Sequence, residues 1–215
     1  MNKKSFVWKF LLYTLIVIAL FLELFPDGHL QMGAFRYFTI QSNLLVAFCL
    51  FLFLLAPERR NSTKSILRGI SLMAILITGI IYNFVLYKVW LDWGTVGYSF
   101  SRTVTHLIAP LGYLFDWIFF EDHGDMKWTD IFFWLAYPLL YTYISVVSGG
   151  KSGTYLYPFF NISTGRSALS YLIIMSGYML IGTTVFMFAS DKLLKMLSDG
   201  TGRLRAKSMS KKSRY

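Results

Sequence analysis

The sequence predicts an all-α membrane protein with six transmembrane helices and both termini in the cytoplasm. Three observations carry that expectation. Of 215 residues, 55% are hydrophobic and 15% charged, against roughly 25% charged in a soluble domain. Mean hydropathy is +0.52. The apolar residues also gather in six stretches near the roughly 20 residues a helix needs to cross a bilayer. A disordered chain and an ordinary globular domain are both excluded.

The first stretch, Phe6–Phe25, follows Lys3 and Lys4 and contains Lys9. It is longer than a signal-peptide core and lacks a small-residue cleavage site, so an uncleaved first helix is expected. The others are Phe35–Ala56, Ile66–Lys88, Thr103–Phe120, Trp128–Ser148 and Ser167–Ser190. Barrel strands would instead alternate over about 10 residues. The short loops leave no room for a second domain. The chain divides into a bundle over 1–198 and a basic tail over 199–215, expected to be disordered against anionic lipid headgroups.

Orientation follows from the positive-inside rule. With the amino terminus inside, sixteen of the 21 Lys and Arg residues face the cytoplasm. Only Arg36, Lys88, Arg102, Lys151 and Arg166 remain outside. On such an apolar chain, the net charge of +10 reads as helix orientation rather than nucleic-acid binding. The single cysteine, Cys49, excludes an intrachain disulfide and a cysteine-rich metal site. No cofactor and no metal are expected. The cell membrane, that of a bacterium from the form of the motifs below, is the expected location.

Polar residues within the apolar stretches carry the functional information, because strongly polar groups in hydrocarbon are costly and face the bundle interior. Thr39 and Asn43 are spaced i, i+4 on one face of the second helix, with Ser42 beside them. On the fourth helix, His106 lies one turn below Thr103 and one turn above Pro110. At 1.5 Å per residue, His106 and Thr39 reach about the same depth below the outer surface. Glu23, Tyr82 and Asn83 fall in the same outer half. A threonine, a histidine, an asparagine and a carboxylate at one level form the inventory of a hydroxyl nucleophile with a base and orienting partners. Asn43, Ser42 and Asn83 are the oxyanion or orienting candidates. The same residues also suit plain hydrogen bonding between helices.

The run Arg36-Tyr37-Phe38-Thr39-Ile40-Gln41-Ser42-Asn43-Leu44 resembles the threonine-bearing segment of the androgen-induced and androgen-dependent multipass family. His106 with Pro110 is similar to that family's His-and-Pro segment, and Tyr155-Leu156-Tyr157-Pro158-Phe159 to its segment before the last helix. Tyr137-Pro138 and Phe-Thr-Ile-Gln-Ser-Asn look more like the bacterial six-pass branch. The resemblance spans most of the chain. Arg102 and Thr103 occupy the region where the animal proteins carry a further histidine. The resemblance implies an integral-membrane hydrolase of fatty-acid esters of hydroxy fatty acids, with Thr39 as nucleophile and His106 as base. A membrane lipid or fatty-acyl ester would be the substrate. Arg36, Arg102, Tyr155, Tyr157 and Glu23 would then bind it.

Other motifs fail on context. Gly150-Lys151-Ser152 lacks the glycine a phosphate loop needs five residues earlier, where Ser145 stands, so a turn is expected. Glu121 through Asp125 reads as a solvated turn, and Asp116 as a partner for a basic residue such as Arg68, with Tyr113 able to hydrogen-bond it. The competing functional class is a non-enzymatic carrier or scaffold whose cavity uses the same polar residues. Absence of an internal repeat and the small size count against it.

Overall fold

The computed structural model describes residues 3–56, 62–86, 99–121, 123, 127–161, 163, 177 and 180–200. Described secondary structure is helical throughout, and five helices are long and apolar enough to cross a membrane. They are α1 (Lys3–Leu24), α2 (Phe38–Leu55), α3 (Ser62–Ile81, continued by a π-turn over Tyr82–Leu86), α4 (Phe100–Phe120) and α5 (Asp130–Ser152). A further helix, α6, occupies 180–200. The chain is an all-α integral membrane protein.

The expected spans agree with these helices to within a few residues, with instructive exceptions. α2 starts at Phe38 rather than Phe35, because Met32–Arg36 forms a separate 3-10 turn and Tyr37 is extended (φ −80°, ψ 135°). α5 runs on to Ser152, so Gly150-Lys151-Ser152 is its last turn and not a loop. Gly153 then ends the helix in the left-handed region (φ 71°), where glycine has no Cβ penalty. α6 continues ten residues past the expected end at Ser190. Lys88, the start of the sixth span over 167–176 and the tail over 201–215 lie outside the described residues.

α3 is the central helix. Leu72, Met73, Ala74 and Ile75 are four consecutive residues with no exposure, as expected of a helix enclosed on all sides. α2, α4 and α5 pack around it, and α1 packs on α2 and α4. Glycines permit the closest approaches. A Cβ on Gly69 would lie 2.1 Å from Trp134 Nε1, and one on Gly79 would lie 2.9 Å from Pro110 Cβ. The outer surface carries Phe21, Leu111, Phe132 and Leu140, all more than half exposed. So much exposed apolar surface matches a bundle wrapped in lipid, not water.

One end of the bundle is tied by charges. Lys9 Nζ of α1 donates to both Asp116 oxygens of α4, at 2.7 and 2.8 Å, and to Glu121 at 3.0 Å. Arg68 of α3 closes on the same Asp116 carboxylate. Its guanidinium lies over the Tyr113 ring, 4.2 Å from the centroid. Asp116 therefore pairs with Arg68 as the sequence suggests, while Tyr113 serves the cluster through its ring and makes no hydrogen bond to Asp116. Two expectations are corrected. Lys9, counted among the charges that face the cytoplasm, is buried at 1% exposure. Glu121 is drawn into the cluster rather than left in a free turn. Lys64 donates to the Ala56 carbonyl at 2.6 Å, stabilising the end of α2 where carbonyls lack partners.

Candidate active site

The opposite end of the bundle brings α2, α3 and α4 together around two π-turns. Val104–Ile108 in α4 and Tyr82–Leu86 in α3 each widen the helix locally. π-turns recur at functional sites because they free backbone groups that a regular helix would consume. Here three carbonyls of α4 accept from side chains. The Ala109 N–H bonds Val104 O, bypassing Thr105 O, which accepts the Asn43 amide at 3.1 Å instead. Pro110 has no N–H for the carbonyl four residues before it. That carbonyl belongs to His106 and accepts from Asn83 Nδ2 at 2.9 Å. The Arg102 carbonyl accepts from the His106 ring at 3.1 Å.

This arrangement fixes the imidazole. Nδ1 faces the Arg102 carbonyl, which can only accept, and the Thr105 hydroxyl at 3.0 Å, which is itself donated to Ser101 O at 2.9 Å. Nδ1 therefore carries the hydrogen, and Nε2 presents a lone pair. That Nε2 lies 3.1 Å from Thr39 Oγ1. Tyr82 stacks on the other side of the ring, centroids 3.7 Å apart at 28°. The hydroxyl, the imidazole and an orienting acceptor thus stand in a line, with a backbone carbonyl where hydrolase triads carry a carboxylate.

Thr39 is held as firmly. It is the second residue of α2, where the first N–H groups lack intrahelical partners. The Phe38 N–H donates to the Tyr157 hydroxyl oxygen at 3.1 Å. The Thr39 carbonyl accepts from Asn43 Nδ2 at 2.9 Å and from Ser42 Oγ at 3.1 Å. Ser42 also meets Thr78 Oγ1 of α3 at 2.7 Å. Asn43 and Ser42 are fully buried.

Two cavities share Thr39. The larger, about 430 Å³, is lined by Thr39 and His106 together with Glu23, Arg102, Tyr37 and Tyr157. The smaller, about 60 Å³, is apolar, with Ile77, Ile81, Leu86, Pro138, Phe160 and Leu180 in its wall. Thr39, Tyr82 and Tyr157 line both. The nucleophile candidate therefore stands where a polar chamber meets an apolar crevice.

The residues expected at the site divide into three groups. Thr39, His106, Arg102, Glu23 and Tyr157 face the chamber, with Glu23 accepting from Ser101 Oγ at 2.8 Å. Asn43, Ser42 and Asn83 have their polar hydrogens committed to carbonyls or to Thr78, an orienting arrangement. Arg36 and Tyr155 stand apart. Because α2 begins only at Phe38, Arg36 lines a separate cavity of about 370 Å³ with Gln41 and Tyr137. Tyr155 packs over Gly149. Thr105 and Thr78 belong to the site's support and carry no sequence signal, since threonines on apolar helices commonly bond their own backbone. Among the described residues no group of three His, Cys, Asp or Glu side chains can hold a metal ion. No protein-family model, curated protein or solved structure matches the chain.

Proposed function

We propose that this protein hydrolyses a lipid-like ester within the membrane, using Thr39 as nucleophile and His106 as general base. The observation that carries the reading is the 3.1 Å contact between Thr39 Oγ1 and His106 Nε2 at the meeting of a polar and an apolar cavity. A threonine hydroxyl is a weak nucleophile until a base takes its proton. His106 has its lone pair on the hydroxyl, and the Arg102 carbonyl steadies the imidazolium once formed. The acyl chain takes the apolar crevice, while the alcohol portion takes the chamber beside Arg102 and Glu23. Thr39 attacks the carbonyl, an acyl-threonine forms, and water activated by the same histidine releases the acid. The resemblance to the androgen-induced family points the same way, with entry from the outer leaflet of a cell membrane.

The test is labelling of the purified, detergent-solubilised protein with an alkyl fluorophosphonate, followed by peptide mapping. The expected adduct is on Thr39, lost in Thr39→Ala and in His106→Ala while both variants keep the wild-type elution volume. A folded wild type that neither labels nor hydrolyses p-nitrophenyl esters would overturn the reading in favour of a binding or carrier role.

A further inference from the structure

Resting on the hydrolase reading, we propose that Tyr157 donates the hydrogen bond that stabilises the oxyanion formed when Thr39 attacks. The reaction needs a donor aimed where negative charge develops, and the obvious amides are engaged elsewhere. Asn43 gives its hydrogens to Thr39 O and Thr105 O, and Asn83 gives its own to Gly79 O and His106 O. Tyr141 donates to Arg36 O at 2.8 Å. Tyr157 is placed differently. Its oxygen accepts the Phe38 N–H, which strengthens its own O–H as a donor through the cooperativity of linked bonds. The hydroxyl is within hydrogen-bonding reach of the Thr39 and Tyr141 side chains, so its hydrogen is held beside the nucleophile and turns to the oxyanion as Thr39 attacks.

The ring is rigidly held. Tyr157 is 5% exposed, with Phe159 stacked at 5.2 Å and Tyr37 and Phe160 edge-on at 6.1 and 5.5 Å. It lines both cavities that meet at Thr39. Burial pushes its phenol well above the ordinary value, so it stays protonated as a donor. The positive end of α2 adds to the same field.

The step balances as follows. The bond from Thr39 Oγ1 to the ester carbon forms while the threonine proton passes to His106 Nε2. The carbonyl π-electron pair moves onto oxygen, which accepts from the Tyr157 O–H, the proton remaining on the phenol. On collapse the carbon–alkoxy bond breaks, and His106 returns its proton to the departing oxygen. Water then attacks the acyl-threonine, losing a proton to His106; the bond from the acyl carbon to Thr39 Oγ1 breaks, His106 returns that proton to Oγ1, and the acid leaves.

The experiment compares wild type, Tyr157→Phe and a protein carrying 3,5-difluorotyrosine at 157, using p-nitrophenyl octanoate in detergent micelles. Tyr157→Phe is expected to lower kcat by about 10²–10³-fold, the effect of deleting one oxyanion donor, with KM little changed and the elution volume retained. Difluorotyrosine, which keeps the hydroxyl and makes it a stronger donor, should raise kcat above the wild-type value. Wild-type-like kcat in Tyr157→Phe overturns the role of Tyr157, as does a fluorinated protein whose kcat does not exceed wild type. If Tyr157→Phe aggregates, the fluorinated protein alone decides. A wild type inactive on the ester and unlabelled at Thr39 overturns the hydrolase reading itself, and this proposal with it.

Discussion

Asn83 donates its side-chain amide to the main-chain carbonyl of His106, the acceptor that Pro110 leaves without a helical partner. Removing the amide leaves a part-buried carbonyl short of a donor, which costs up to about 1–3 kcal/mol. Asn83→Ala is therefore expected to lower the thermal midpoint and to reduce kcat. Pro110→Ala supplies a backbone N–H to that carbonyl. Thermal unfolding of the double variant should show less destabilisation than the two single effects added together. Strict additivity would mean that the two residues act independently.

Asn43 joins the nucleophile's helix to the base's helix by bonding both Thr39 O and Thr105 O. Asn43→Ala should loosen the Thr39–His106 contact, lowering kcat more than it raises KM. Steady-state kinetics on p-nitrophenyl octanoate separate the two. An effect confined to KM would point to a substrate contact.

Gly69 and Gly79 differ in what surrounds them, and their alanine variants should differ accordingly. A Cβ on Gly69 meets the rigid Trp134 indole at 2.1 Å, whereas one on Gly79 meets the Pro110 ring at 2.9 Å. Overpacking of this kind costs about 1–3 kcal/mol, occasionally more. Gly69→Ala is expected to be the more destabilised of the two in a thermal-shift assay. The Gly79→Ala effect should fall chiefly on activity, because Pro110 shares a helix with His106. Equal midpoints for the two variants would contradict the packing argument.

Asp116→Asn removes the charge that holds Lys9 and Arg68 together. Breaking a buried pair from one side costs about 3–5 kcal/mol, so loss of folded protein after extraction is expected. Lys9→Met combined with Asp116→Asn should recover part of that loss by removing one of the two cations left to share Glu121. Asp116 lies ten residues, about 15 Å along the helix, from His106. Whatever fraction folds should therefore label at Thr39 at the wild-type rate. The labelling rate per folded molecule, measured beside the fraction eluting as monodisperse protein, separates these effects.

Much of the architecture was legible because the bilayer demands long apolar helices, and hydropathy reports that demand directly. Depth was legible too, since helical rise alone set Thr39 and His106 at one level. The π-turns were not, because one extra residue in a helical turn leaves no mark on an apolar run. Without them, the free Thr105 carbonyl that engages Asn43 could not be foreseen, and the amides read equally as oxyanion donors or as orienting groups. The place of Arg36 was not legible for a related reason. A 3-10 turn and one extended residue before α2 send it to a different cavity from Arg102. The pairing of Lys9 was not legible because its partner lies 107 residues away, beyond any local pattern.

That same separation bears on how the bundle is made. Lys9 and Arg68 belong to the first and third helices synthesised, yet the carboxylates that neutralise them, Asp116 and Glu121, arrive only with the fourth. At about 5–20 residues per second, the ribosome needs about 5–20 s to travel from Lys9 to Asp116. Throughout that interval the Lys9 ammonium needs water or the insertion machinery around it. α1 therefore cannot settle into its final seat when it is made, and the amino-terminal helix is among the last to lock.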